Sequence, residues 1–407
     1  MGKLLNGGYG AIFGSYWMIY AAISSFASVF MLAKGYTNSE IGVTLAVANV
    51  LAVVIQPLIA DFVDRSKKLG VLGTTEIVTV AMMIFAVGLF VFKGGTIALC
   101  IVFVLLIGFH TTLQPLFNSL AFRLEKAGVA MNFGIARAIG SLAYAIFIAI
   151  LGVLVEKMGI PVISVTTEIT CLMLLGSLIF TGVYYRKAVN MNTAGAGKTT
   201  AAQPGEPVVQ PEQEINLIQF IRRNKMFFIV NVGVFGVYFS NAILNFFMAQ
   251  IVDNVGGSTE DLGGILAVMA VLEMPTMIFF KQIRNRFSCQ TLLKIASIGF
   301  AVKIAICWLG NSVFMIYVAQ FIQPFAFAIF LPGMVHFTEE MMNKGEAVKG
   351  QALYTTMITA TTVVASLVGG AILDASGPKM LTFIATVVTA IGALVIIFFI
   401  DKVKSNK

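Results

Sequence analysis

Long apolar runs alternate with short polar breaks along almost the whole chain. A helix needs about 20 mainly apolar residues to cross the hydrocarbon of a bilayer. Runs of that length fall at 9–33, 39–60, 71–92, 96–122, 133–155, 161–185, 227–251, 260–281, 291–310, 313–335, 348–373 and 379–400. Lipid offers backbone groups no hydrogen bonds, so each run is expected to be a helix that satisfies its own N–H and C=O groups. The pattern therefore predicts an all-α membrane protein with twelve transmembrane helices.

The one long polar stretch lies at about 186–225, between the sixth and seventh runs. Its core, rich in Gly, Pro, Thr and Gln, cannot build a packed interior and reads as a flexible linker. It divides the chain into an N-terminal six-helix bundle (1–187), a linker (188–225) and a C-terminal six-helix bundle (226–407). Leu217–Lys225 has the composition of a short amphipathic helix lying on the membrane surface. The first run follows a single lysine and shows no small-residue cleavage site, so it is expected to be a retained span rather than a cleaved leader.

Composition agrees with this reading. The 407 residues are 58% hydrophobic and 11% charged, with a mean hydropathy of +0.92, whereas a soluble domain carries about 25% charged residues. The net charge of +8 would point to a nucleic-acid partner in a soluble protein, but its placement gives another reading. With the N-terminus inside, inner segments hold 21 of the 27 Lys and Arg residues. Outer loops hold only Lys34, Lys93, Lys157 and Lys379, and two cations, Arg137 and Lys303, fall within spans. This asymmetry explains the charge without nucleic acid and puts both termini and the linker in the cytoplasm of a cell-membrane protein. Cys100, Cys171, Cys289 and Cys307 share no metal-ligand or redox spacing and read as small hydrophobes. Gly197-Lys198-Thr199 resembles the end of a phosphate-binding loop, but Asn192 stands where the leading Gly belongs. ATP-driven transport is not expected, nor is enzyme chemistry: no span pairs a nucleophile with a recognisable base, and no HExxH occurs.

The chemistry lies in ionisable groups within apolar runs, where a charge at mid-membrane costs about 2.5 kcal/mol or more and normally faces a cavity or a partner. They are His110, Arg137, Glu168, Glu273 and Lys303. Glu273 and Lys303 can form a structural pair or bind substrate and protons. His110 suits a packed core or a proton relay, with an ordinary pKa near 6.5. Glu168 lies nearer the outer surface. Arg137 keeps its charge and must find an acceptor. Gln114 and Asn118 follow His110 at i+4 and i+8 on one helical face. Asn231, Tyr238, Asn241 and Asn245 make a similar stripe on span seven. Many amide groups with few charges suit a neutral polar ligand such as a sugar. Tyr16, Trp17 and Tyr20 add ring faces that sugars and nucleobases stack on, although aromatics near helix ends are often interface anchors.

At this point the chain resembles a major facilitator superfamily transporter. Ala60–Lys68, with Asp61, Asp64 and Arg65, is similar to the superfamily's signature loop, carrying Ala60 and Lys67 where Gly is usual. Lys281–Arg286 after span eight keeps only its basic character. Tyr16-Trp17-Met18, Gln56-Pro57-Leu58 and Phe133-Gly134-Ile135-Ala136-Arg137 resemble the lactose-permease-like branch of oligosaccharide, nucleoside and phenylpropionate proton symporters. That resemblance implies two pseudo-symmetric bundles and a sugar-binding role for Arg137. It puts Lys303 at the place of a coupling arginine, Gln323 and Ala326 at the coupling His and Glu, and Asn118 and Ser119 near the place of the arginine's carboxylate partner. Glu273 matches the permease's substrate-binding glutamate if a small gap is allowed, and its Leu-Glu-x-Pro context is closer to the phenylpropionate permeases.

These readings give an expected function: secondary active transport of a small polar solute, foremost a sugar or oligosaccharide, by proton symport and alternating access. Expected substrate ligands are Arg137, Glu273, Asn118, Gln114, Asn241 and Asn245. Glu273, His110, Lys303 and Glu168 are the expected proton-coupling groups, and Asp61, Asp64 and Arg65 form a gating loop. No cofactor beyond the proton gradient, no metal and a monomer are expected. Nucleoside or aromatic-acid symport, drug:proton antiport and a flux-free sensor are the alternatives.

Overall fold

The structure is a computed structural model whose described residues are 2–66, 69–126, 130–195, 217–343 and 346–403. Every regular element among them is helical. Spans two to six are Asn38–Arg65, Gly70–Val91, Ile97–Lys126, Phe133–Met158 and Pro161–Gly195. Spans seven to nine are Lys225–Asp253, Thr259–Ile278 and Cys289–Leu309. Span one is broken: Gly2–Tyr20 passes through a π-helical turn, Ala21–Ser25, into Ala27–Ala33, with a bend of 41°. Span ten is interrupted by the 3₁₀ turn Gln323–Phe325. The final run Ala347–Phe399 is two helices meeting at Gly377, whose φ of 75° only glycine adopts freely, before Pro378 starts the second. Ten helices among the described residues can cross a membrane, the bent pair makes an eleventh, and the turn at Gly377 yields the twelfth.

The ends of spans two and six run past the sequence pattern. Span two runs on to Arg65, so Asp61 and Arg65 sit in its last turns rather than in a loop; they form an exposed i,i+4 ion pair at 2.8 Å that supports the extension. The side chain of Asp64 and residues Lys67 and Lys68 lie outside the described residues. Span six continues to Gly195, so the domain boundary expected at 187 falls inside a helix, because no Gly or Pro interrupts 183–194. The rest of the expected linker, 196–216 with Gly197-Lys198-Thr199, lies outside the described residues. Beyond it, Leu217–Arg223 forms the short helix expected there, with Phe220 buried.

Within lipid, apolar side chains gain little by leaving one helix's surface for another's, so close approach through small residues carries much of the packing. The two halves meet chiefly along two helix pairs, spans five and eight and spans two and eleven. Both contacts close tightly at the face opposite the chain termini. A Cβ on Gly152 would lie 2.6 Å from the Thr259 carbonyl oxygen, and one on Gly370 would lie 2.2 Å from that of Asn38. The partner positions Gly263 and Gly42 are equally crowded by backbone. Towards the face that carries the termini, spans five and eight line a cavity.

Candidate functional site

That cavity, about 540 Å³, lies between the terminus-side halves of spans five and eight. Span five supplies Asn132, Arg137 and Ser141, and span eight supplies Glu273, Met274 and Met277. Asn132 starts span five by accepting the backbone N–H of Ile135 at 3.0 Å, which places Arg137 just over one turn inside. Glu273 precedes Pro275, whose missing N–H frees the Val271 carbonyl, and the span ends three residues later at Ile278. Both charged residues are half-buried. The Arg137 guanidinium lies 5.8 Å from the Trp17 ring, within cation–π range. Among the described residues it makes no ion pair.

Glu273 and Lys303 are brought together through a third residue. The Lys303 ammonium, fully buried, donates to the amide oxygen of Gln323, and the Gln323 amide nitrogen donates to Glu273 Oε1. The Met269 sulfur lies 3.6 Å from Lys303 Nζ. An amide suits this place because it offers an acceptor to the cation and a donor to the carboxylate. Gln323 reaches in from the break in span ten, and Phe325 beside it presses its carbonyl to 2.8 Å from where a Cβ on Gly299 would sit.

An aromatic cluster covers the facing half. Trp17, Tyr20 and Tyr144 stand 5.4–6.3 Å apart, centroid to centroid. Tyr16 stacks on His110 at 4.1 Å and donates its hydroxyl to Gln114 Oε1 at 3.5 Å. The π-helical turn begins directly after Tyr20 and presents Ser25 to the Tyr144 hydroxyl at 3.0 Å. Such turns are frequent at functional sites. The Trp17 indole N–H and the Asn118 amide oxygen are buried without a hydrogen-bond partner among the described residues.

Other expected residues do not line the cavity. His110 is a packed core side chain whose Nε2 hydrogen bonds the Tyr16 carbonyl at 2.9 Å. Glu168 lies on span six, which packs against spans one and three, and its Oε1 is buried without a partner among the described residues. The stripe expected on span seven divides. Asn231 is fully buried and bonds its own helix at Phe227, and Tyr238 packs among Phe300, Phe327 and Phe330. Asn241 and Asn245 remain half-exposed and have no hydrogen-bond partner among the described residues. Tyr144 was not anticipated, yet it lies seven residues after Arg137 on the same helical face. Gln323 was legible only as a departure from the permease pattern. The aromatic residues of span one are interior groups rather than interface anchors: Tyr16 is buried, and Trp17 and Tyr20 pack partly buried against the core.

The model of the MFS_1 like family matches residues 9–385. The uncharacterized transporter YwbF of Bacillus subtilis is 20% identical over 312 residues, covering 75% of this chain and 70% of that one. The crystal structure of the nucleoside transporter NupG superposes with a TM-score of 0.75 at 13% identity, covering 98% of both chains. A bacterial homolog of the human lysosomal transporter Spinster, inward-facing and unoccupied, gives 0.66 at 12% identity, over 100% of this chain and 99% of the other. A POT family transporter in complex with 5-aminolevulinic acid also gives 0.66 at 12% identity, over 98% and 96%. The chain belongs to the MFS_1 like family and has the all-helical fold of major facilitator membrane transporters, not that of an enzyme.

Proposed function

We propose that this protein carries a small polar, ring-containing solute, foremost a sugar or oligosaccharide, across the cell membrane by proton symport. The observation that carries this reading is that Arg137 and Glu273, one from each half, line a single cavity. Hydrocarbon tolerates charged groups where water, a ligand or an opposite charge meets them. A guanidinium offers forked donors to sugar hydroxyl or ring oxygens, and a carboxylate accepts hydroxyl protons. Trp17, Tyr20 and Tyr144 supply faces against the apolar side of a ring. Asn118, Gln114, Asn241 and Asn245 offer further polar contacts as the halves close.

Glu273 is the proposed proton carrier, with Lys303 and Gln323 as its partners. Protonation removes one charge from the group and leaves Lys303 uncompensated, which favours rearrangement of the two halves around the solute. His110 and Glu168 take no part in this step. The distribution of basic residues supports cytoplasmic chain termini, with the cavity opening inward. Asp61 and Arg65, with Asp64, act on the inner face when the cavity closes. The protein works as a monomer, without cofactor or metal.

A nucleoside is the second reading, favoured by the number of rings beside Arg137, which would stack on a base. The test is uptake by proteoliposomes under an acid-outside gradient, with labelled disaccharides and nucleosides as separate arms. One pH unit is expected to support about tenfold accumulation at one proton per solute, abolished by a protonophore. Protonophore-insensitive uptake, or proton release on adding an apolar drug, would replace symport by another mode.

A further inference from the structure

The tightly closed face opposite the termini carries a device that occurs twice. Span eight begins at Ser258, whose hydroxyl accepts the backbone N–H of Asp261, while Asp261 returns a carboxylate to the Ser258 N–H. Span two begins in the same way, with Thr37 and Glu40. Each capping pair leaves neighbouring first-turn N–H groups without an intrahelical partner. Carboxylates from the opposite half fill them. Glu156, at the end of span five, accepts the Thr259 N–H at 3.0 Å and its hydroxyl at 2.7 Å. Asp374, at the end of span eleven, accepts the N–H groups of Asn38 and Ser39 at 3.0 and 2.7 Å, and the Asn38 side-chain amide at 2.9 Å. Gln250 on span seven adds a hydrogen bond to the Asn38 amide oxygen at 2.9 Å.

The repeat is also visible in the sequence. A hydroxyl cap, an acid three residues later and a glycine five residues later occur as Thr37, Glu40 and Gly42, and again as Ser258, Asp261 and Gly263. On the partner helices a glycine precedes the carboxylate by four residues, as Gly152 and Glu156, and as Gly370 and Asp374. The glycines let the backbones touch, and the carboxylates then reach the helix N-termini, where the macrodipole favours negative charge. Each carboxylate comes from one half and each N-terminus from the other, so the contacts exist only while this face is shut. Parting the halves would expose three backbone N–H groups and two carboxylates to water, at little cost for each group, so the device is reversible.

We infer that Glu156 and Asp374 are paired latches that hold this face closed and set the balance between the two access states. The experiment uses the full-length protein in nanodiscs. Ser366→Cys reports the latched face, because Ser366 is fully buried there with its carbonyl against Gly42. Ser141→Cys, in a separate chain, reports the cavity at the other face. A maleimide at fixed pH is the probe, and labelling is read by mass spectrometry of the peptide carrying the added cysteine. Glu156→Gln and Asp374→Asn keep size and shape but remove the charge. Each is expected to raise labelling at position 366 about fivefold, and the pair about 25-fold, because labelling follows the open population. Labelling at position 141 is expected to fall in the same variants as the cavity closes. Unchanged labelling at 366 in the double variant would overturn the inference. So would a parallel rise at 141, which would mean general loosening rather than a shift between two states.

Discussion

Replacing Arg137 with Ala is expected to raise the solute concentration for half-maximal uptake by roughly 10–100-fold, and Arg137→Lys is expected to do nearly the same. One hydrogen bond to a charged group contributes about 1.5–3 kcal/mol, and about 1.4 kcal/mol corresponds to tenfold in affinity. Lysine preserves the charge but not the planar fork, and it lacks the flat face now set 5.8 Å from the Trp17 ring. Arg137 is half-buried and ion-paired to no described residue, so its loss should spare folding. Initial-rate uptake across a range of solute concentrations, with protein amount checked by quantitative blotting, makes the measurement. Wild-type uptake by Arg137→Lys would reduce the role of this residue to charge alone.

The second large effect concerns Gln323. Gln323→Leu removes the acceptor of the buried Lys303 ammonium and the donor to Glu273. Leaving a buried charge uncompensated costs about 3–5 kcal/mol. The purified protein is therefore expected to lose roughly 5–10 °C of thermal stability. Adding Lys303→Met removes the stranded charge with a side chain of similar length, and most of the loss should return. The single and double variants are both expected to lack proton-driven accumulation, so stability and coupling separate in one series. If Gln323→Leu melts with wild type, the hydrogen-bonded bridge contributes no stability.

The membrane architecture was legible because apolar length is a local property of the chain. Twelve runs and the short amphipathic helix at 217 could be read directly. The breaks were harder. Nothing in Ala21–Ser25 forbids an ordinary helix, and its π-helical turn reflects packing against Tyr144 on another span. The ends of spans two and six ran long because no Gly or Pro stops the helix where it leaves the apolar stretch that hydropathy detects. Arg137, Glu273 and Lys303 stood out because ions in hydrocarbon are rare, but their connection through Gln323 was hidden. A glutamine carries no such signal, and the bridge forms across spans eight, nine and ten. Asn231 and Asn241 lie on the same sequence stripe, yet one packs into the C-terminal bundle and the other stays half-exposed. Which face of a helix meets lipid, a neighbour or the cavity is decided by the other eleven spans.

In the proposed mechanism the proton and the solute meet at Glu273. Its most direct test compares Glu273→Gln with wild type in proteoliposomes, measuring gradient-driven accumulation of labelled solute beside its exchange at equal pH on both sides. Glutamine keeps the acceptor oxygen but cannot carry the proton. Exchange that persists while accumulation above equilibrium disappears is the outcome this mechanism requires. Accumulation at the wild-type level in Glu273→Gln would contradict it and place the coupled proton elsewhere.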